Sequence, residues 1–361
     1  MPKRPRIEWA FEMAGRVATT PQPAPSAGPA ASVRPPEWRK PQRHTYGAVD
    51  LGTNNCRLLI ARPTGEGFTV VDAFSWIVRL GEGLTQSGKL TQGAMDRAVT
   101  ALGVCADKLR RRHVSLSRSV ATEACRRAVN GREFVERVRS ETGVALEIIS
   151  PQEEARLAVL GCHKLLEPGD GPALIFDIGG GSTELVLVEP GENAPRIRAW
   201  WSAPWGVVSL TESEGRAAIE GEDRLAAYER MRDRARDSFS RFAEILPKDA
   251  PGIRLLGTSG TVTTLASVHL ALPSYDRRAV DGLQVPIGDM RRISAMIAEM
   301  DFGGRSSLPC IGTDRADLVV AGCAILEAIL DIWPAERLGV ADRGIREGIL
   351  RSLMARDGHQ L

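Results

Sequence analysis

The run from Ala173 to Val188 holds residues able to do chemistry in a pattern that restricts what the chemistry is. An apolar stretch reaches Asp177, breaks at Gly179, Gly180 and Gly181, passes Ser182, Thr183 and Glu184, and resumes as apolar sequence through Val188. Glycines without a Cβ let several backbone N–H groups converge on one anion. A dinucleotide or P-loop glycine turn opens into a helix, and a P-loop also needs Gly-Lys-Ser/Thr, which is absent. Here a short β-type run follows the glycines. The unit reads as a strand–turn–strand hairpin gripping an anion with Asp177 beside it.

A weaker copy lies upstream, from Tyr46 to Ala61. A strand ends at Asp50, the turn is made by Gly52, Thr53, Asn54 and Asn55, and the segment from Arg57 returns as a strand. Two hairpins with an Asp at the same place in the turn imply two related domains facing each other across a cleft. Asp50 and Asp177 pointing to separate faces would overturn that reading.

Anionic ligands held this way suit phosphoryl chemistry, which needs positioning and electrostatic stabilisation above all. Residues Gly52 to Asn55 and Gly179 to Thr183 offer the cradle, and their hydroxyls and amides also form turns. Asp50 and Asp177 are placed to hold hydrated Mg²⁺ against phosphate oxygens, with Glu184 as a further metal or water ligand. A third loop, Gly257 to Thr261 with Ser259 and Gly260 at its centre, leads a strand into a helix whose N-terminus favours an anion. It sits where a nucleotide or distal phosphates would lie.

The elements that position these loops read as a mixed α/β plan, strands first and helices in alternation later. In the first half a third strand lies near 68–80, a helix at 91–112, a strand at 115–122, a helix near 132–142 and a strand at 145–149. Ser150, Pro151 and Glu153 then mark a helix start with a capping box. That occupies Glu153 and leaves Glu154 free. The turn residues 167–172 divide the chain into lobes at 45–170 and 171–361. The second lobe repeats the plan, with helices near 222–245, 262–270 and 314–332, strands near 197–202, 253–256 and 338–341, and a final helix.

At 361 residues the chain has length for two cores, and its 43% hydrophobic and 25% charged content is ordinary for a globular protein. A formal net charge of +2 gives no nucleic-acid footprint. No apolar run approaches the roughly 18 residues of a bilayer span. Six cysteines without a C-x-x-C pair argue against zinc and for reduced thiols in the cytoplasm, with Cys125 as core filler. Residues 1–44 are a Pro/Ala/Arg-rich tail, read as disordered. The arginines between 97 and 139 read as a solvated face or as a channel for a polyanion. Arg126 is the choice among them, because it follows a strand end aimed at the cleft.

With these residues placed, the chain resembles the exopolyphosphatase / guanosine pentaphosphate phosphohydrolase family, of the actin, sugar-kinase and heat-shock ATPase fold. The resemblance rests on the motifs beginning at Asp50, Glu153, Asp177, Gly257 and Asp342, in order, and covers roughly residues 46 to 355. It implies two ribonuclease-H-like lobes flanking an interdomain cleft. It also implies hydrolysis of a terminal phosphoanhydride in inorganic polyphosphate or guanosine pentaphosphate, with Mg²⁺ or alternatively Mn²⁺. Under it Glu154 is the general base, Arg126 a phosphate ligand, and Asp177 and Glu184 organise metal and water. The amides of Gly179, Gly180 and Ser182 hold the terminal phosphate. A helix N-terminus would lower the Glu154 pKa. Asn55 and Cys56 stand where the family often has Ser and an aromatic. The sequence ends at Leu361 without the helical domain of longer members, an expectation against high processivity. A homodimer is the assembly to test. An actin-like or chaperone-like nucleotide-gated module is the competing class, but no peptide-binding domain follows the second lobe.

Overall fold

The computed structural model describes residues 44–65, 67–191, 195–245 and 252–359. The tail expected over 1–44 lies, but for its last residue, outside the described residues.

Two mixed sheets organise the chain. The first contains β1 (Tyr46–Leu51), β2 (Asn55–Thr64), β3 (Gly67–Ile77), β4 (Leu116–Ala121) and β5 (Leu146–Ile148), in the order β3-β2-β1-β4-β5. The second contains β6 (Ala173–Ile178), β7 (Thr183–Glu189), β8 (Arg196–Ala203), β9 (Arg254–Thr258), β10 (Gln284–Pro286) and β11 (Arg337–Ala341), in the order β10-β11-β9-β6-β7-β8. In each, an antiparallel three-strand meander is extended by two strands parallel to its first member, and in the second sheet β10 then adds antiparallel to β11.

The repeat extends to detail. The register of β2 on β3 slips between Ile60 and Ala61, and that of β7 on β8 between Leu187 and Val188. Counted from Asp50 and Asp177, these are the same positions. A β-bulge increases local strand twist, so both meanders curl alike.

Both sheets are covered on both faces, which explains why β6 and β7 read as continuous apolar runs rather than alternating ones. On the first sheet, Val49, Leu51, Leu58 and Ile60 pack against the helix Gln92–Arg111, through Ala98 and Leu102, and against Phe134 and Val138 of the helix Gly131–Thr142. The opposite face, with Ala48, Leu59 and Val120, packs on Leu157 and Ala158 of the helix Pro151–Cys162 and on Ile349 and Leu353 of the last helix, Ile345–Arg356. Ala155, Val159 and Cys162 of that same Pro151–Cys162 helix pack instead with Ile175, Val186 and Leu256 of the second sheet. One helix therefore lies between the two sheets and is buried by both.

Its crossing with the last helix is set by glycine. A Cβ on Gly348 would come within 2.0 Å of the Leu157 carbonyl oxygen, and one on Gly161 within 2.0 Å of the Gly344 oxygen. Only hydrogen fits at either contact, so the two backbones touch.

Two expectations change. The helix expected from Asp314 starts at Val319, because residues 313–318 form turns tied to distant elements. Arg315 Nη1 donates to Thr264 Oγ1 at 2.7 Å, and Asp317 accepts from Arg79 Nη1 at 2.9 Å. The helices Val207–Glu214 and Ile287–Glu299 were not placed from the sequence.

Replacing Gly348 by Ala should destabilise the fold by about 1–3 kcal/mol, because the neighbour it strikes is backbone and cannot rotate away. Urea denaturation would show this as a lowered midpoint with an unchanged slope.

Candidate active site

The two hairpin turns are built alike. Gly52 N–H donates to the Asn55 oxygen at 2.9 Å, and Gly179 N–H to the Ser182 oxygen at 3.0 Å. The turns also touch: a Cβ on Gly180 would lie 2.9 Å from Thr53 Cβ, and one on Gly181 2.7 Å from Thr53 Oγ1. Small residues in this tract thus let two loops from different sheets meet.

The carbonyls of these turns are used elsewhere. The Val207 and Val208 amides, opening the helix Val207–Glu214, donate to the Gly179 and Gly180 oxygens at 2.9 and 2.7 Å, and Ser209 Oγ donates to the Gly181 oxygen. The Thr53 and Asn54 oxygens accept from Gly81, Val78 and Arg79. The amides of Gly180, Gly181 and Ser182 have no protein acceptor among the described residues. Hydrogen-bond donors are left facing the cleft, as an anion site requires.

A cleft open to solvent is lined by both turns. Asp50, Gly52, Thr53, Asn54, Asn55, Glu154, Asp177, Gly179, Gly180, Gly181, Ser182, Glu184, Ser259, Gly260 and Thr261 of the expected residues all line it. Asp50 and Asp177 share one crevice. Three expected residues do not line it. Thr183 is fully buried and its hydroxyl donates to the Trp205 oxygen at 2.7 Å. Gly257 lies inside β9, where a Cβ would strike the Phe176 ring and Val262. Arg126 sits behind the wall, its Nη1 on Glu154 at 3.1 Å and on the Ile149 oxygen at 2.8 Å, its Nε on Glu123 at 3.0 Å.

Glu154 lies in the first turn of the Pro151–Cys162 helix and is only 6% exposed. The expected capping box forms by half. Ser150 accepts from the Glu153 amide at 3.2 Å, but the Glu153 carboxylate goes to Arg118 and Arg156. Those two cations hold it down at about 2. Glu154 behaves oppositely, and the helix terminus does not lower it as expected. Burial, reinforced by Glu184, raises its carboxyl well above the usual range despite Arg126. Burial likewise lifts Asp177 to about 6, and burial with the Asp177 charge lifts Glu184 to about 7. Asp50 is also raised by burial, with Arg57 and Arg346 opposing. Cys125 is 2% exposed and its thiol is pushed up to about 12 by burial, which suits filler.

Other residues in the cleft wall were missed: Arg57, Glu123, Thr264 and Arg315. A signal for Arg57 was present. In β1–β2 the partner of Asp50 is Arg57, and in β6–β7 the partner of Asp177 is Glu184. Aligning the two hairpins residue by residue puts Arg57 where Glu184 stands. Arg315 had no such signal, because its place depends on Thr264 from a remote helix.

Ser259 is the backbone outlier of the cleft, at φ 99° and ψ 175°. That region suits glycine and costs another residue on the order of 1–3 kcal/mol. Asp50 Oδ1, Asn54 Oδ1 and Ser259 Oγ are buried cleft atoms without a partner among the described residues. Buried polar atoms of this kind await a ligand, ion or water.

Comparison with known proteins identifies the family. The chain is 31% identical to "Exopolyphosphatase 2" of Mycobacterium tuberculosis over 320 residues, covering 85% of this chain and 97% of the relative. It is 28% identical to a "Guanosine-5'-triphosphate,3'-diphosphate pyrophosphatase" of Aeromonas hydrophila, of whose length it spans 59%, with 86% of this chain covered. The solved Ppx/GppA family member of Aquifex aeolicus superposes with a TM-score of 0.71 at 28% identity, covering 88% of this chain and all of that one. The family model described as "Ppx/GppA phosphatase family" matches residues 59–357. With that match spanning most of both sheets, the chain belongs to the Ppx/GppA phosphatase family and has its actin-like ATPase fold.

Proposed function

We propose that the protein releases the terminal phosphate of inorganic polyphosphate by attack of water. The observation that carries this is Glu154, a buried carboxylate free of capping duty, in one cleft with two amide-lined turns. The Gly180, Gly181 and Ser182 amides hold the end phosphate, with Thr53 and Asn54 closing on it from the facing hairpin. Glu154 accepts a proton from the attacking water, and its raised pKa gives it the base strength that an exposed carboxylate lacks. Arg57, which lines the cleft and whose charge acts on both Asp50 and Asp177, balances the charge of the phosphate oxygens. Thr261, Thr264 and Arg315 line the same cleft and would bind distal phosphates.

Asp50, Asp177 and Glu184 are the residues that would hold Mg²⁺, or Mn²⁺. Among the described residues no three acid, His or Cys side chains form a ready cage. That fits Mg²⁺, which is bound by one or two carboxylates and completed by waters and substrate phosphates. The orphaned Asp50 Oδ1 is consistent with such sharing. When bound, the metal neutralises charge on the phosphate oxygens.

A second substrate, guanosine pentaphosphate, is favoured by one feature. Leu318, Val319 and Ile345 give the cleft apolar surface, and inorganic polyphosphate has nothing apolar to set against it. We further place the lobe division at 170/171, with the last helix packed on the first sheet, and the protein in the cytoplasm. No described helix is long and apolar enough to cross a membrane.

The test is phosphate release from long polyphosphate, tripolyphosphate, guanosine pentaphosphate and ATP, side by side with Mg²⁺. ATP as the preferred substrate would sink the proposal. Glu154→Gln should cut release by about 10²–10⁴-fold while substrate still binds. Activity within a few-fold of wild type would remove Glu154 from the role.

The raised carboxyls also dictate a pH trend. Between the ordinary carboxyl range and about 6 to 7, folded Asp177 and Glu184 hold protons that the unfolded chain has lost. Their contribution to stability therefore falls as pH rises through that window. Without metal, the melting temperature should carry a downward contribution from pH 5 to pH 8. Added Mg²⁺ should raise it more at pH 8 than at pH 5, as differential scanning would show.

A further inference from the structure

Arg126 has spent its guanidinium before any substrate arrives. Nε and Nη2 both donate to Glu123 Oε2, while Nη1 donates to Glu154 Oε2 and to the Ile149 oxygen. Its two carboxylate partners line the cleft, whereas Arg126 does not. Glu123 also faces Arg127, 3.9 Å away, and a Cβ on Gly181 would lie 3.0 Å from Glu123 Cγ. Glu123 thus stands between the arginine and the glycine turn that cradles the end phosphate.

We propose that Glu123 is a positioning residue that competes with substrate phosphate for Arg126 and so dedicates Arg126 to holding Glu154. The inference rests on the reading of Glu154 as the base. Guanidinium forks bind carboxylate and phosphate by the same two-pronged geometry, so one occupant excludes the other. With Glu123 in place, one edge of Arg126 is closed and Nη1 alone is left to fix the Glu154 carboxylate and its backbone neighbour. With that carboxylate neutralised, the freed edge turns to the phosphate across the turn. Substrate then binds more tightly while the base loses its fixed orientation.

The test compares wild type, Glu123→Gln and Glu123→Asp in steady-state hydrolysis of polyphosphate, with circular dichroism confirming the fold. Glu123→Gln should lower KM by about three- to tenfold and lower kcat by about tenfold or more, the scale of one charge-assisted hydrogen bond. Glu123→Asp, which keeps the charge, should restore kcat in part. A merely structural role would not lower KM. Titration calorimetry with tripolyphosphate gives a second measurement that needs no turnover. Glu154→Gln/Glu123→Gln should bind it more tightly than Glu154→Gln alone. Equal affinities, or a KM that is unchanged or rises with Glu123→Gln, would overturn the proposal while leaving the hydrolase reading intact. An inactive wild type would instead defeat that reading, and the calorimetric comparison would still decide whether Glu123 withholds Arg126 from phosphate.

Discussion

Two helix backbones in contact fix this molecule. The helix Pro151–Cys162 and the helix Ile345–Arg356 meet where Gly161 and Gly348 lack side chains, and nothing larger than hydrogen fits. The first of these helices is buried by both sheets at once, with Leu157 and Ala158 on one and Ala155 and Val159 on the other. Glu154 rides on its first turn. The distance between the Asp50 and Asp177 hairpins and the position of the Glu154 carboxylate in their shared cleft are set by one packing arrangement. Ala, Cys and Gly recur on that helix because larger residues would push the sheets apart.

The electrostatics of the cleft follow from what the fold buries. Four acids, Asp50, Glu154, Asp177 and Glu184, share a crevice with Arg57 in its wall and Arg126 behind it. Desolvation raises all four, and repulsion from the others adds to it at Glu154, Asp177 and Glu184, so the empty site is short of positive charge. A divalent cation bound together with a phosphate chain would supply it. The arginines between 97 and 139, by contrast, are mostly matched by nearby acids. Arg112 pairs with Asp72, Arg118 with Glu147 and Glu153, and Arg137 with Asp96 and Glu141. For these the solvated face, rather than a polyanion channel, is what the structure contains.

How much was legible in the sequence depended on whether the signal was local. The hairpins at Asp50 and Asp177 were readable because glycine and Asp in sequence order define a turn by themselves. Glu154 was separable from Glu153 because the cap before it is local, although the Glu153 carboxylate turned to Arg118 instead of closing the box. Arg57 was written in the repeat but not in any motif, since its meaning comes from facing Asp50 across a strand pair. Arg315 depends on Thr264, 51 residues away, and Glu123, although only three residues from Arg126, takes its meaning from the Gly181 turn it faces, a contact only the folded chain creates. The helix thought to begin at Asp314 failed for the same reason, as Arg79 and Thr264 pull its first residues out of helical geometry.

The glycine turn at 179–181 has its carbonyls fastened to the helix Val207–Glu214. Its peptide planes therefore cannot flip, and the polarity of the pocket is preorganised with no rearrangement on encounter. A turn held in this way presents one fixed set of donors to whatever group enters it. Any discrimination between a short oligomer, a long one and a nucleotide tail would then rest on other parts of the crevice wall, Arg315, Leu318 and Val319 among them.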